Sequence, residues 1–160
     1  MSNFKVLPIP SAVAQTIREK MVDHVGHELS VTVAGDTGYG PCRSCLKQFR
    51  PGEKRILFSY SPNDGNHPYN ETGPIYIHAE ACPSYEQRDK FPPEIKNGRL
   101  PIPLALRGYN NDEGRMIDVA LVGEREVEKA IAALFENPET SCIHARNAEF
   151  GCFIAHLERA

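Results

Sequence analysis

Cys42 and Cys45 stand as C-x2-C, and His78 with Cys82 follows as H-x3-C. Four soft or borderline donors of this kind suit tetrahedral zinc, and four protein ligands leave no position open for catalysis. The first half has the usual clamp spacing. The second is less regular, because His78 would leave a strand end and Cys82 would sit in the loop after it. Cys42 has two further readings. Pro41 suits the first position of a short helix over 41–49, where terminal N–H dipoles and Arg43 would lower the thiol pKa and make Cys42 a nucleophile. Alternatively Cys42, Cys45, Leu46 and Phe49, at i, i+3, i+4 and i+7, are one packed apolar face. A thioredoxin-type redox pair lacks the strand-turn-helix setting it needs.

A second group lies near the end of the chain. Alternation over 141–146 puts Cys142, His144 and Arg146 on one strand face, and alternation over 100–109 does the same for Arg107 and Tyr109. A polar row is costly to bury unless it is paired or faces a cavity, so these faces meet either solvent or a pocket. A pocket of guanidinium and imidazole groups would take a carboxylate or phosphate. Weaker signals are bland. The glycines of 35–40 match neither the dinucleotide fingerprint nor a phosphate loop and read as a turn needing positive φ. His24 and His27, flanked by acids, read as a solvated helix end, and Asn70-Glu71-Thr72 as a chance glycosylation match.

The elements needed to position these groups are short. After Pro8 and Pro10, Ser11 is placed to cap a helix with Val13, Ile17, Met21 and Val25 on one face. Residues 29–34, 55–60 and 74–78 read as strands, and 83–99 as a connecting loop. Residues 100–109 and 116–122 form a hairpin, with Pro101 and Pro103 putting the first strand's start at a sheet edge or outside the ladder. The spacing of Val127, Ile131, Leu134 and Phe135 predicts a helix over 124–136, stopped by Asn137-Pro138. Residues 141–146 and 152–159 form a second hairpin. The two hairpins and the helix between them are expected to pack as consecutive units. The fold class is α+β: a single domain over 1–160, mostly antiparallel sheet with a few packing helices.

At 160 residues, 41% of them hydrophobic, one globular domain is the default. Eighteen basic against 21 acidic side chains give a net charge of −3, so no nucleic-acid partner is expected. No apolar segment approaches membrane-spanning length, and the first residues carry no secretion signal. Five cysteines, an odd number, point to reduced thiols in a cytoplasm, with Cys142 and Cys152 unbridged even if the hairpin brings them close.

The combination of Gly40-Pro41-Cys42-Arg43, Tyr69, Gly73-Pro74-Ile75, Arg107-Gly108-Tyr109 and His144-Ala145-Arg146-Asn147 through Gly151-Cys152 resembles an uncharacterised bacterial domain-of-unknown-function family (DUF1203-like). The resemblance covers 4–159. It implies positions without chemistry: Cys42, Arg43, His144, Asn147, Gly151 and Cys152. It also implies that zinc at Cys42, Cys45, His78 and Cys82 is a subgroup feature with a structural role, since many relatives carry Ser in place of Cys45 and lack Cys82.

Residues and resemblance together favour a soluble small-molecule-binding protein with an anion pocket, its catalysis left open. Arg43, Tyr69, Arg107, Tyr109, Arg146, Asn147 and Cys152 would bind the ligand, with Cys42 and His144 as the groups able to do chemistry. In this reading Cys42, Arg43, Arg107, His144, Arg146 and Asn147 meet at one cavity. The alternatives are an enzyme using Cys42 and His144, and a zinc-stapled structural or interaction domain. The candidate cofactor is zinc and the candidate partner a small anionic molecule; the oligomeric state is left open.

Overall fold

Period-two patterning over the last third of the chain becomes a pair of interlocked hairpins. In a computed structural model that describes residues 2–37, 40–63, 65, 67–98, 102–110, 114–123 and 126–160, β5 (Leu104–Tyr109) pairs with β6 (Met116–Val122), and β7 (Cys142–Asn147) with β8 (Phe153–Arg159). β1 (Phe4–Leu7) adds to β8, with Val6 opposite Leu157. The resulting five-stranded sheet has the order β1-β8-β7-β5-β6, and every pairing is antiparallel. A second antiparallel sheet joins β2 (Val31–Val33), β3 (Lys54–Tyr60) and β4 (Gly73–His78) in sequence order. With α1 (Ser11–Lys20), α2 (Pro93–Lys96) and α3 (Val127–Glu136), the fold is α+β and mostly sheet.

The best-patterned helix forms as expected. Val127, Ile131, Leu134 and Phe135 of α3 are all buried against Leu104, Leu106, Ile143, Ala145 and Leu157 on one face of the large sheet. The two hairpins lie side by side in one sheet, with α3, the helix between them in the chain, packed on it, as expected of consecutive units. β5, not β6, lies beside β7, and α3 carries the chain from the sheet edge across β5. β5 is thereby buried between two neighbours, which fits Pro103 standing just outside its ladder. The expected strand start at Leu100 and Pro101, the helix start at Glu124, part of the 110–115 turn, and Gly38 and Tyr39 of the glycine-rich segment lie outside the described residues.

Five local expectations are corrected. Pro10 takes the N-cap of α1, so Ser11 is the first helical residue and makes no cap bond. The helix closes at Met21, whose left-handed φ of 51° sends Val25 out of the stripe and into solvent. The 83–99 connection contains α2, and the strand expected over 29–34 narrows to the three residues of β2. No helix forms over 41–49. Leu46 N–H closes one turn on Cys42 O at 2.8 Å, but φ of +55° at Leu46 then reverses the chain, and Cys42 N–H bonds Lys47 O at 3.0 Å. Cys42 therefore has no helix N-terminus beneath it, although the buried set of Cys42, Cys45, Leu46 and Phe49 is as expected.

That turn sits between two cores. Leu46 belongs to the core under α3, while Cys42, Cys45 and Phe49 belong to the core between α1 and the small sheet. Arg43 fastens the same turn to β8: its Nε donates to Phe153 O at 2.7 Å and its Nη1 to Pro41 O at 2.5 Å. Among the described residues no helix is long and apolar enough to cross a membrane.

Candidate metal centre

The 41–47 turn and the end of β4 place the first cysteine pair beside His78. A parallel bridge between Cys42 and Tyr76 and the bond from Arg43 N–H to Tyr76 O lay the turn along β4. His78 N–H then donates to Cys42 Sγ at 3.3 Å. Past the strand end the chain folds back, and Arg18 of α1 holds this return by donating Nε to His78 O at 3.0 Å and Nη2 to Cys82 Sγ at 3.5 Å. The donor atoms of Cys42, Cys45, His78 and Cys82 all lie within 4.8 Å of one another.

Two separations have the size a metal requires. Zinc bonds of about 2.3 Å to sulfur and 2.0 Å to nitrogen put tetrahedral S···S pairs near 3.8 Å and S···N pairs near 3.5 Å. Cys42 Sγ is 3.9 Å from Cys82 Sγ, and Cys45 Sγ is 3.5 Å from His78 Nδ1. On the far side of the imidazole, Nε2 lies 3.0 Å from Glu53 Oε2. With a metal bound, donation of Nε2–H to that carboxylate would leave the Nδ1 lone pair facing the sulfurs, the outer-shell arrangement that orients a metal-bound histidine. The irregular H-x3-C half works because His78 is the last strand residue and Cys82 returns over it.

Crowding controls the protons in this cluster. Hydrogen bonds from Cys42, then Cys45, outweigh burial and pull the Cys82 thiol far down, with His78 adding to the effect. Cys45, sharing its protons with Cys42 and Cys82 in a buried position, is pushed far up. His78 rises to about 11, held charged by Cys42 and Cys82 and then by Glu53 against the opposing effect of burial. Three thiols this close do not all ionise unless a cation stands among them. An open trough of about 910 Å³ runs along one side, lined by His78, Cys82, Tyr85 and Glu94 among others.

The arginines form a separate site. Arg107 and Arg146 lie on one face of the large sheet and converge on a single carboxylate: Arg107 Nη1 is 3.0 Å from Glu71 Oε2, and Arg146 Nη2 is 3.3 Å from the same oxygen. Burial and the neighbouring Arg107 draw the Arg146 pKa down despite Glu71. A cavity of about 260 Å³ opens beside them, with Cys152 and Tyr60 in its wall. Tyr109 is buried, and Tyr69 packs edge-on against it at 6.2 Å. The polar strand face does not meet solvent, since Cys142, His144 and Arg146 are 6%, 1% and 6% exposed.

The six residues expected to share one cavity are divided. Arg107 and Arg146 line it; Cys42 belongs to the sulfur cluster, and Arg43 is spent on backbone carbonyls, with burial lowering its pKa to about 10. Asn147 Oδ1 accepts from Glu149 and Phe150 N–H, shaping the β7–β8 turn. His144 packs among the rings of Tyr109, Phe153 and His156, tilted against the first and last and edge-on to Phe153. The imidazole in reach of Cys42's cluster is that of His78, not His144. His24 and His27 are not a helix end: both lie beyond α1, where His27 Nδ1 pairs with the buried Asp23 at 2.9 Å. All five cysteines are free thiols.

Sequence reasoning missed Glu53, Glu71 and His156. Glu53 sits one residue before β3, and only the register that sets Arg55 opposite His78 shows that its carboxylate reaches the ring. Glu71 lies in a polar loop with no periodic signal. His156 was legible in principle, since alternation along 152–159 puts it on one face with Glu158. The profile of a family described as "Protein of unknown function (DUF1203)" matches residues 39–159, spanning both sites, whereas no curated protein and no solved structure matches the chain.

Proposed function

From a chain that belongs to this family of unknown function, we propose a zinc-stapled domain in which Cys42, Cys45, His78 and Cys82 hold one structural zinc ion. The observation that carries the reading is the match of the 3.9 Å sulfur–sulfur and 3.5 Å sulfur–nitrogen separations to a zinc tetrahedron. Four protein ligands close the site, so the metal stabilises the fold and activates no water. It ties the 41–47 turn to β4 and to the loop after it, where the two cores meet. Five free thiols fit the reducing cytoplasm, where a site of this kind keeps its ligands. Elemental analysis should find zinc in the purified protein and one equivalent fewer in Cys45→Ser. Unchanged stoichiometry in that variant would remove the site.

A second reading rests on a different observation, the convergence of two guanidinium groups on the Glu71 carboxylate beside a cavity. A small molecule bearing a carboxylate or phosphate would take the place of Glu71, making the large-sheet face a ligand-binding surface fixed by the stapled half. Thermal scans with acetate, phosphate and a panel of metabolite carboxylates test it. Stabilisation that is greater in Glu71→Ala and absent in Glu71→Ala/Arg146→Ala supports the reading; equal shifts in both variants overturn it. The geometry favours neither Cys42 nor His144 as a nucleophile–base pair.

A further inference from the structure

We infer that the large sheet carries a second metal site, built from Cys142, His144 and His156, which takes a zinc-class divalent cation with an exchangeable fourth position. Cys142 and His144 are two residues apart on β7 and so share a face, and His144 stands directly opposite His156 on β8. Their three donor atoms all lie within 4.8 Å of one another. Tetrahedral ligand pairs stand about 3.3–3.8 Å apart, so side-chain rotation that shortens each pair by no more than about 1.5 Å closes the set on an ion. One thiol and two imidazoles are the donor types that zinc and its cobalt substitute accept.

The fourth position follows from the register. Glu158 faces Cys142 across the ladder, and its Oε1 is 3.8 Å from His156 Nε2. The carboxylate thus stands at the rim of the triangle. Cys142 and His144 are nearly inaccessible, whereas the side chains of His156 and Glu158 are 21% and 49% exposed. An ion here is held from below by two buried ligands and reached from the side of His156. Lys5, opposite Glu158 on β1, is the cation nearest in register to that carboxylate and would compete for it. The cysteine-rich cluster has four ligands and is closed. This one has three plus a displaceable carboxylate, the arrangement in which a metal can accept an outside ligand.

The site is independent of the zinc staple, and the test separates them. The protein, stripped of metal and titrated with Co2+ under reducing conditions, should bind two equivalents. Cys82→Ser should remove the equivalent with the three-thiolate spectrum and leave one with a weaker thiolate-to-cobalt charge-transfer band. His156→Gln, at a partly exposed position, should remove the other equivalent while the far-ultraviolet circular dichroism stays that of the parent. In a Cys82→Ser background, Cys142→Ser should abolish the remaining thiolate band. Glu158→Gln should weaken cobalt binding about tenfold without changing the stoichiometry. Retention of two equivalents in folded His156→Gln, or loss of all bound cobalt in Cys82→Ser, overturns the second site. Loss in His156→Gln alone, with two equivalents never reached and Cys82→Ser unaffected, would instead overturn the staple.

Discussion

Asp23 accepts four hydrogen bonds through one buried carboxylate: from the N–H groups of Val25, His27 and Ser59 and from the His27 ring. Burial alone would raise its pKa, but these donors outweigh it and hold the carboxyl well below its usual value near 3.8. Because the folded state binds the proton less readily than the unfolded state, this stabilisation is complete above about pH 4 and is lost as the pH falls. Urea titrations from about pH 5 to pH 2 should show a steep acid limb that Asp23→Asn flattens. At neutral pH, Asp23→Ala should cost about 1–3 kcal/mol, because three N–H groups lose their acceptor. Glu71 differs in being half exposed. Its removal strands the buried Arg146, and Glu71→Ala should lower stability by about 1–3 kcal/mol in urea unfolding without added anion. Neither acid could be picked out from the sequence. An acidic residue in a polar loop has no period, and its importance lies wholly in what the fold brings to it from far along the chain.

At the scale of elements, pattern and backbone chemistry contributed unequally. The stripe of α3 and the alternation of β5, β7 and β8 were readable because residue polarity repeats at the period of the structure, even in β7, where both faces are buried. The 41–49 segment was misread as helix for the same reason. Its apolar spacing is helical, yet Leu46 adopts a left-handed conformation that no periodicity reveals. The candidate metal ligands were nonetheless legible, since C-x2-C names two possible donors whatever the intervening backbone does. The register that closes the quartet, and the crossover that sets β5 between β6 and β7, depend on pairings hundreds of atoms apart in sequence and left no local trace. Gly40 tests the turn directly. It has φ of +82°, and a Cβ there would run into the Phe49 ring. Gly40→Ala should destabilise the fold by about 1–3 kcal/mol in chemical denaturation and weaken cobalt binding at Cys42, two residues on.

For the whole molecule the proposed staple would matter because two cores share one turn. Chelation should lower Tm by roughly 6–12 °C if the zinc supplies about 3 kcal/mol, and by nothing further in Cys45→Ser. The pairing of β1 with β8 has its own signature. Val6, fully buried and opposite Leu157, joins residues about 150 positions apart. Val6→Ala should speed unfolding and leave the folding rate nearly unchanged in stopped-flow kinetics, because so remote a pairing forms after the hairpins. Closing so long a loop costs little in equilibrium stability, since the entropy grows only logarithmically with length. The burden falls on timing during synthesis. A ribosome adds about 5–20 residues each second, so β1 must wait many seconds for the strand that will cover it. Throughout that interval Phe4 and Val6 lack the strand that covers them in the folded protein.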